Sequence, residues 1–162
     1  MGIDVDAVLL DRVFQPCANS CAAVATCFGL ARTSMVIACE SQALTLFWDA
    51  ARDASGFNLM MCVTVAALTL YGGYQAWQLI RRIERQSRSG GMNVRRITLR
   101  GQRMSWLGVC ALCTATLSPH ADIRSVFAIV ACIAWVAVVY FVSCTPMPPA
   151  QRQSFRMSAA FS

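Results

Sequence analysis

Phe57-Asn-Leu-Met-Met-Cys-Val-Thr-Val-Ala-Ala-Leu-Thr-Leu-Tyr-Gly-Gly-Tyr-Gln-Ala-Trp-Gln-Leu-Ile80 runs for 24 residues without a charge, opened by Ser55-Gly56 and closed by Arg81-Arg82. The hydrocarbon core of a bilayer is about 30 Å thick and offers no water to backbone polar groups, so a crossing needs about 20 mostly apolar helical residues. This stretch meets that requirement and predicts a transmembrane helix over 57–80. The rest of the chain agrees in character. Of its 162 residues 57% are hydrophobic and 14% charged, against about 25% charged in ordinary soluble domains. That balance excludes a typical soluble enzyme, and a mean hydropathy of +0.51 excludes intrinsic disorder, which needs low hydrophobicity.

A second span is expected over 125–145, 21 uncharged residues introduced by Arg124 and stopped by Pro146. Between the two, Met104 to Ser118 is short at 15 residues, and extension through Pro119-His120-Ala121 gives a short third span over 104–121. The turn from Ser118 to Arg124 cannot recross a bilayer, so the last two helices should form a C-terminal antiparallel hairpin. Upstream, residues 1–16 read as an amphipathic helix, with Val5, Val8, Leu9 and Val13 near one face and Asp4, Asp6 and Asp11 elsewhere. Residues 17–56 are expected to form a further helical segment, which in the four-span alternative includes an extra crossing over about Ala18 to Cys39. That crossing would carry Arg32 inside at a cost of about 2.5–3.5 kcal/mol. The expected fold is therefore all-α, a polytopic integral membrane protein with three or four transmembrane helices. A cleaved secretory signal is not expected, because Asp4, Asp6 and Asp11 precede the first apolar run against Arg12 alone.

Charge sets the orientation. The linker 81–103 holds Arg81, Arg82, Arg85, Arg88, Arg95, Arg96, Arg100 and Arg103 against Glu84, a net +7 in a chain whose total is +6. By the positive-inside rule it stays in the cytoplasm of a bacterial inner membrane, as does the tail 146–162 with Arg152 and Arg156. The N-terminus lies outside with three spans and inside with four. Eight guanidinium groups act first as topology determinants. They also suit anionic lipid headgroups or an acidic face of another membrane subunit. Nucleic acid is not expected as a partner, since no aromatic interleaving accompanies the charge.

Nine cysteines would suggest a disulfide framework in a small secreted domain, but Cys62, Cys110, Cys113, Cys132 and Cys144 fall within the expected spans, where free cysteine packs as a small hydrophobe. A competing reading starts from the C-x-x-C of Cys110 and Cys113. With Cys62 and Cys132 at a depth on the order of 10 Å from the outer surface, these thiols could serve disulfide exchange or a soft-metal path. Cys17 and Cys21, at i,i+4 spacing, are the candidates outside the spans. His120, the one histidine, lies in the turn beside Asp122 and leaves no material for a histidine metal site or a Ser-His-Asp triad. Arg32 and Glu40 are the charges placed nearest the membrane interior, and they suit a pair that locks helices or lines a transport path. Neither a catalytic constellation nor a cofactor site is expected.

From Leu70-Tyr-Gly-Gly-Tyr74, through the basic 23-residue linker, to a short helix with Trp106-Leu-Gly108 that ends at Ser118-Pro119, the chain resembles the small inner-membrane subunits of type IVB secretion and conjugation systems, the Dot/Icm and IncI-plasmid group. The resemblance covers 57–119 and implies a non-enzymatic part of a membrane-embedded translocation machine with other membrane proteins as partners. Two rival classes stay open: a thiol-redox or metal-handling membrane protein, and a holin-like or small transport protein that assembles with itself.

Overall fold

A computed structural model describes residues 4–23, 25–87, 99–117 and 122–145; every regular element among them is helical and none is a strand. The N-terminal segment starts with α1 (Val5–Leu9), where the Asp4 carboxylate accepts from the Ala7 N–H. It continues without a break through a π-helical turn (Leu10–Phe14) into α2 (Gln15–Ser20). A 3₁₀ turn (Cys21–Ala23) ends it. Next, α3 (Cys27–Arg52) opens at Thr26, whose hydroxyl accepts from the Gly29 N–H at 3.1 Å and satisfies one of the unpaired donors of a helix start.

At the far end of α3 a compact corner leads into α4 (Gly56–Ser87). There the Asn58 side-chain amide donates to the Asp49 and Asp53 carbonyls, at 3.0 and 2.6 Å, and so caps the end of one helix from the first turn of the next. The last two helices are α5 (Arg100–Leu117) and α6 (Ile123–Ser143), the latter capped by Asp122, which accepts from the Ser125 N–H at 2.9 Å.

The helices pair antiparallel. Arg32 meets Glu84 at one end of α3 and α4, Cys39 lies against Gly73 midway, and the Cys62 thiol reaches the Leu46 carbonyl toward the other end. Along α5 and α6 the matching contacts are Arg103 to Ser143 and Trp106 stacked on Trp135 with ring centres 5.7 Å apart. At the centre of the bundle, α6 packs along α3 and α5, while α4 lies against α3 and barely touches α6. The sequence of α3 explains this choice. Ala31, Ala38, Ser41 and Thr45 recur at helical spacing and are all buried, a small-residue face that lets two backbones approach closely. Ala131 and Ala134 supply the same on α6.

Among the described residues two helices are long and apolar enough to cross a membrane, over Gly56–Arg85 and Ile123–Ser143. Helix α5 is not one of them; it begins at Arg100 rather than 104 and so carries Arg100 and Arg103 in its 18 residues. The additional helix expected upstream is real as a helix but displaced: the chain breaks before Thr26, and α3 runs through both Arg32 and Glu40 to Arg52 instead of ending near Cys39. The amphipathic N-terminus also corrects the expected face. Val5, Val8 and Val13 are 55, 40 and 50% exposed, whereas Asp6 is buried at 3%. The cause is a buried arginine beneath it.

Candidate functional site

Three sets of chemically capable side chains emerge. The first joins the N-terminal segment to the start of α5 and the end of α6. Arg103, 3% exposed, donates to both oxygens of Asp6, from Nε and Nη2, each at 2.7 Å. Its remaining nitrogen, Nη1, donates to the Ser143 hydroxyl at 3.0 Å, which in turn donates to the Val139 carbonyl at 2.8 Å. Tyr140 adds a third bond to Asp6, O–H to Oδ1 at 2.9 Å, and turns its ring toward the guanidinium, 5.7 Å from its centre. A planar fork on a carboxylate is the geometry arginine is built for. Here each polar group of the pair has a partner, the condition under which a buried ion pair is tolerated.

Around this core the contacts multiply. Arg100 pairs with Asp4 at 2.8 Å, Phe14 stacks on Tyr140 at 4.5 Å and meets Phe141 edge-on, and the Gln15 amide exchanges hydrogen bonds with the Thr145 backbone. The hydrogen bonds from Arg103, opposed by burial and helped by Tyr140, hold the Asp6 carboxyl below its ordinary 3.8. It is therefore ionised at any neutral pH.

The second set surrounds Trp77. Arg32 is paired with Glu84 of α4, and its guanidinium lies 5.2 Å from the Trp77 ring centre, with that of Arg81 at 4.9 Å from the same ring. The expected Arg32–Glu40 pair is thereby replaced. Eight residues separate them on one helix, beyond the i,i+3 and i,i+4 reach at which helical side chains meet, and Glu40 points outward with no ion pair among the described residues. At the opposite end of the bundle Arg124 pairs with Asp49, tying the start of α6 to the end of α3.

Thiols make the third set. Cys113 and Cys132 lie near one another across the interface of α5 and α6, with Cys110 beside them. Cys62 is not part of this group, because it sits on α4, facing α3 through the Leu46 carbonyl. Matching depth along two helices does not bring them into contact when a third lies between. All nine cysteines are free thiols, and among the described residues no group of three or more His, Cys, Asp and Glu side chains is arranged to hold a metal ion. Partial desolvation of the Cys17 thiol, then Cys21 beside it, pushes the Cys17 pKa above its ordinary value and away from thiolate.

Of the eight linker arginines, the structure gives partners to three. Arg100 and Arg103 bind the chain's own Asp4 and Asp6, and Arg81 lies on Trp77. Arg82 and Arg85 are exposed and make no ion pair among the described residues, while Arg88, Arg95, Arg96 and His120 lie outside those residues. The acidic face that the basic linker invites in another protein is thus partly supplied by the N-terminus of the same chain. Asp6, Tyr140, Ser143, Phe14 and Gln15 gave no local signal. The hint in the sequence was global, three acidic residues in the first 11 opposite a linker with a net +7. Comparison with family models, with curated proteins and with solved structures gives no match for this chain.

Proposed function

We propose that this protein is a small, non-enzymatic inner-membrane subunit of a larger membrane complex, with a secretion or conjugation apparatus as the first candidate. One observation carries the reading. The most apolar window of α4 buries none of its residues in the bundle, so a helix of that length and composition keeps its apolar surface for lipid or for another protein. Phe57, Met60, Val63, Leu70 and Tyr71 are each more than 60% exposed along it. In this reading all four long helices cross the membrane, with Arg32 of α3 paired to Glu84 and Asp49 to Arg124. The N-terminal segment, the Arg-rich linker and the C-terminal tail share the cytoplasmic side.

Because hydrophobic burial alone does not hold helices together in lipid, the exposed face of α4 calls for packing partners, and the protein should copurify with other membrane proteins. Mild-detergent affinity purification from native membranes followed by mass spectrometry tests this, alongside reporter fusions at Met1, near Gly90 and at Ser162, all three expected in the cytoplasm. Recovery of large secretion or conjugation proteins, weakened by Arg95→Glu with Arg96→Glu, supports the subunit reading. A monomer or homo-oligomer that conducts ions in liposomes removes it. The thiol-exchange reading draws on the proximity of Cys113 and Cys110 to Cys132. It gains if Cys110→Ala with Cys113→Ala abolishes the cellular phenotype while the protein still accumulates in the membrane.

A further inference from the structure

Helix α4, which packs on α3, and helix α5, which packs on α6, stand apart, and the space between them is a groove of about 940 Å³. That volume is at the upper end of those that hold drug-sized ligands. The groove is polarised along its length. At the end shared with the linker its walls carry Arg82 on α4 and, opposite, Gln102 and Ser105 on α5. None of these three side chains has a hydrogen-bond or ion-pair partner among the described residues. Farther in, Leu68 and Gly72 of α4 face Trp135 and Val138 of α6. Of the other polar residues that line the groove, the Thr69 hydroxyl is bonded to the Val65 carbonyl, the Gln75 and Gln78 amides donate to the Tyr71 and Tyr74 hydroxyls, and Gln42 enters from α3.

A guanidinium, a carboxamide and a hydroxyl gathered at one end of an apolar trough match a phosphate ester with an attached hydrocarbon chain. Guanidinium binds phosphate through paired N–H bonds, and a cation at this level of a bilayer is favoured by an anionic surface. We propose that the groove between α4 and α5 holds one anionic phospholipid, its phosphate at Arg82, Gln102 and Ser105 and an acyl chain laid over Gly72, Val138 and Trp135. The site rests on the membrane placement proposed above and adds a specific ligand to it. Arg82, with no ion-pair partner among the described residues, favours an anionic headgroup over an apolar helix as the occupant of the trough.

The geometry supplies its own probe, because Trp106 and Trp135 both line the groove. The protein carrying Trp48→Phe and Trp77→Phe is reconstituted in phosphatidylcholine vesicles with a minor fraction of either brominated phosphatidylglycerol or brominated phosphatidylcholine. Quenching of the remaining tryptophans is expected to be several-fold stronger with the anionic probe. Arg82→Glu should equalise the two probes, and so should Gly72→Leu. A Cβ at Gly72 meets nothing within 4 Å, so the larger side chain fills the trough without disturbing the fold. Unchanged thermal unfolding of both variants confirms that the bundle stays intact. Equal quenching by the two probes in the parent protein overturns the proposal. So does quenching by neither when Tyr71→Trp, as sole tryptophan on the exposed face of α4, is quenched by both, which would mean that protein occupies the groove. If that control is quenched by neither probe, the membrane placement itself fails and takes the lipid site with it.

Discussion

Helices α4 and α6 both have the length and composition of a membrane span, yet they are used in opposite ways. The most apolar window of α6 has a mean hydropathy of 2.6 and half of its residues are fully buried inside the bundle, whereas that of α4 has 1.4 and none of its residues is fully buried. Hydropathy alone would rank α6 as the better lipid-facing helix. Its small Ala131 and Ala134, and the polar Ser125, Tyr140 and Ser143, instead make it the axis on which α3 and α5 pack. Hydrophobicity therefore says that a helix leaves water; small and hydrogen-bonding residues say whether it turns toward protein.

The largest way to break this contrast is to remove the anchor at the end of α6. Arg103→Ala leaves the buried Asp6 with only the more exposed Arg100, 4.0 Å away, as counter-charge, and loss of the main partner of such a pair costs about 3–5 kcal/mol. Thermal or denaturant unfolding in detergent should report it as a marked drop in stability, and a drop under about 1 kcal/mol would show that the network is open to solvent. The same anchor predicts an acid limit. The folded-state pKa of Asp6 is depressed below the ordinary 3.8, so its stabilisation is complete above that value and is lost only as pH falls through the lower, folded one. Asp6→Asn should be less stable at neutral pH and should lose that part of the acid dependence.

Tyr140→Phe removes one bond to a charged acceptor and should cost about 1.5–3 kcal/mol, with Arg103 still holding the carboxylate. A matched pair sharpens the comparison itself. Ala131→Phe on α6, where the native residue is 1% exposed, overpacks the contact and should cost about 1–3 kcal/mol. Ala67→Phe on the exposed face of α4 should stay within about 0.5 kcal/mol. If the two behave alike in unfolding measurements, α4 and α6 are not used differently after all. Smallest is Arg124→Ala: its pair with Asp49 is partly exposed, and such pairs contribute about 0–1 kcal/mol.

The helices over 57–80 and 125–145 were legible because each leaves a long, uninterrupted apolar record in the sequence. Helix α3 was only half legible. Arg32 and Glu40 interrupt its apolar runs, and nothing local says that Arg32 is neutralised by Glu84, 52 residues away. The N-terminal face was misread for the same reason. Periodicity ranks residues by their own polarity, so it turned Asp6 outward, whereas Arg103 reverses that preference from 97 positions downstream. Likewise the C-x-x-C of Cys110 and Cys113 could be seen, but that Cys132 joins it and Cys62 does not depends on which helices are neighbours.

The buried ion pair also sets an order of events during synthesis. Asp6 leaves the ribosome early, but its partner Arg103 follows 97 residues later and Tyr140 134 residues later. At about 5–20 residues per second, the N-terminal segment waits on the order of 10 s before its final contacts exist. The N-terminal segment can therefore close over the end of α6 only after Arg103 and Tyr140 have both been made.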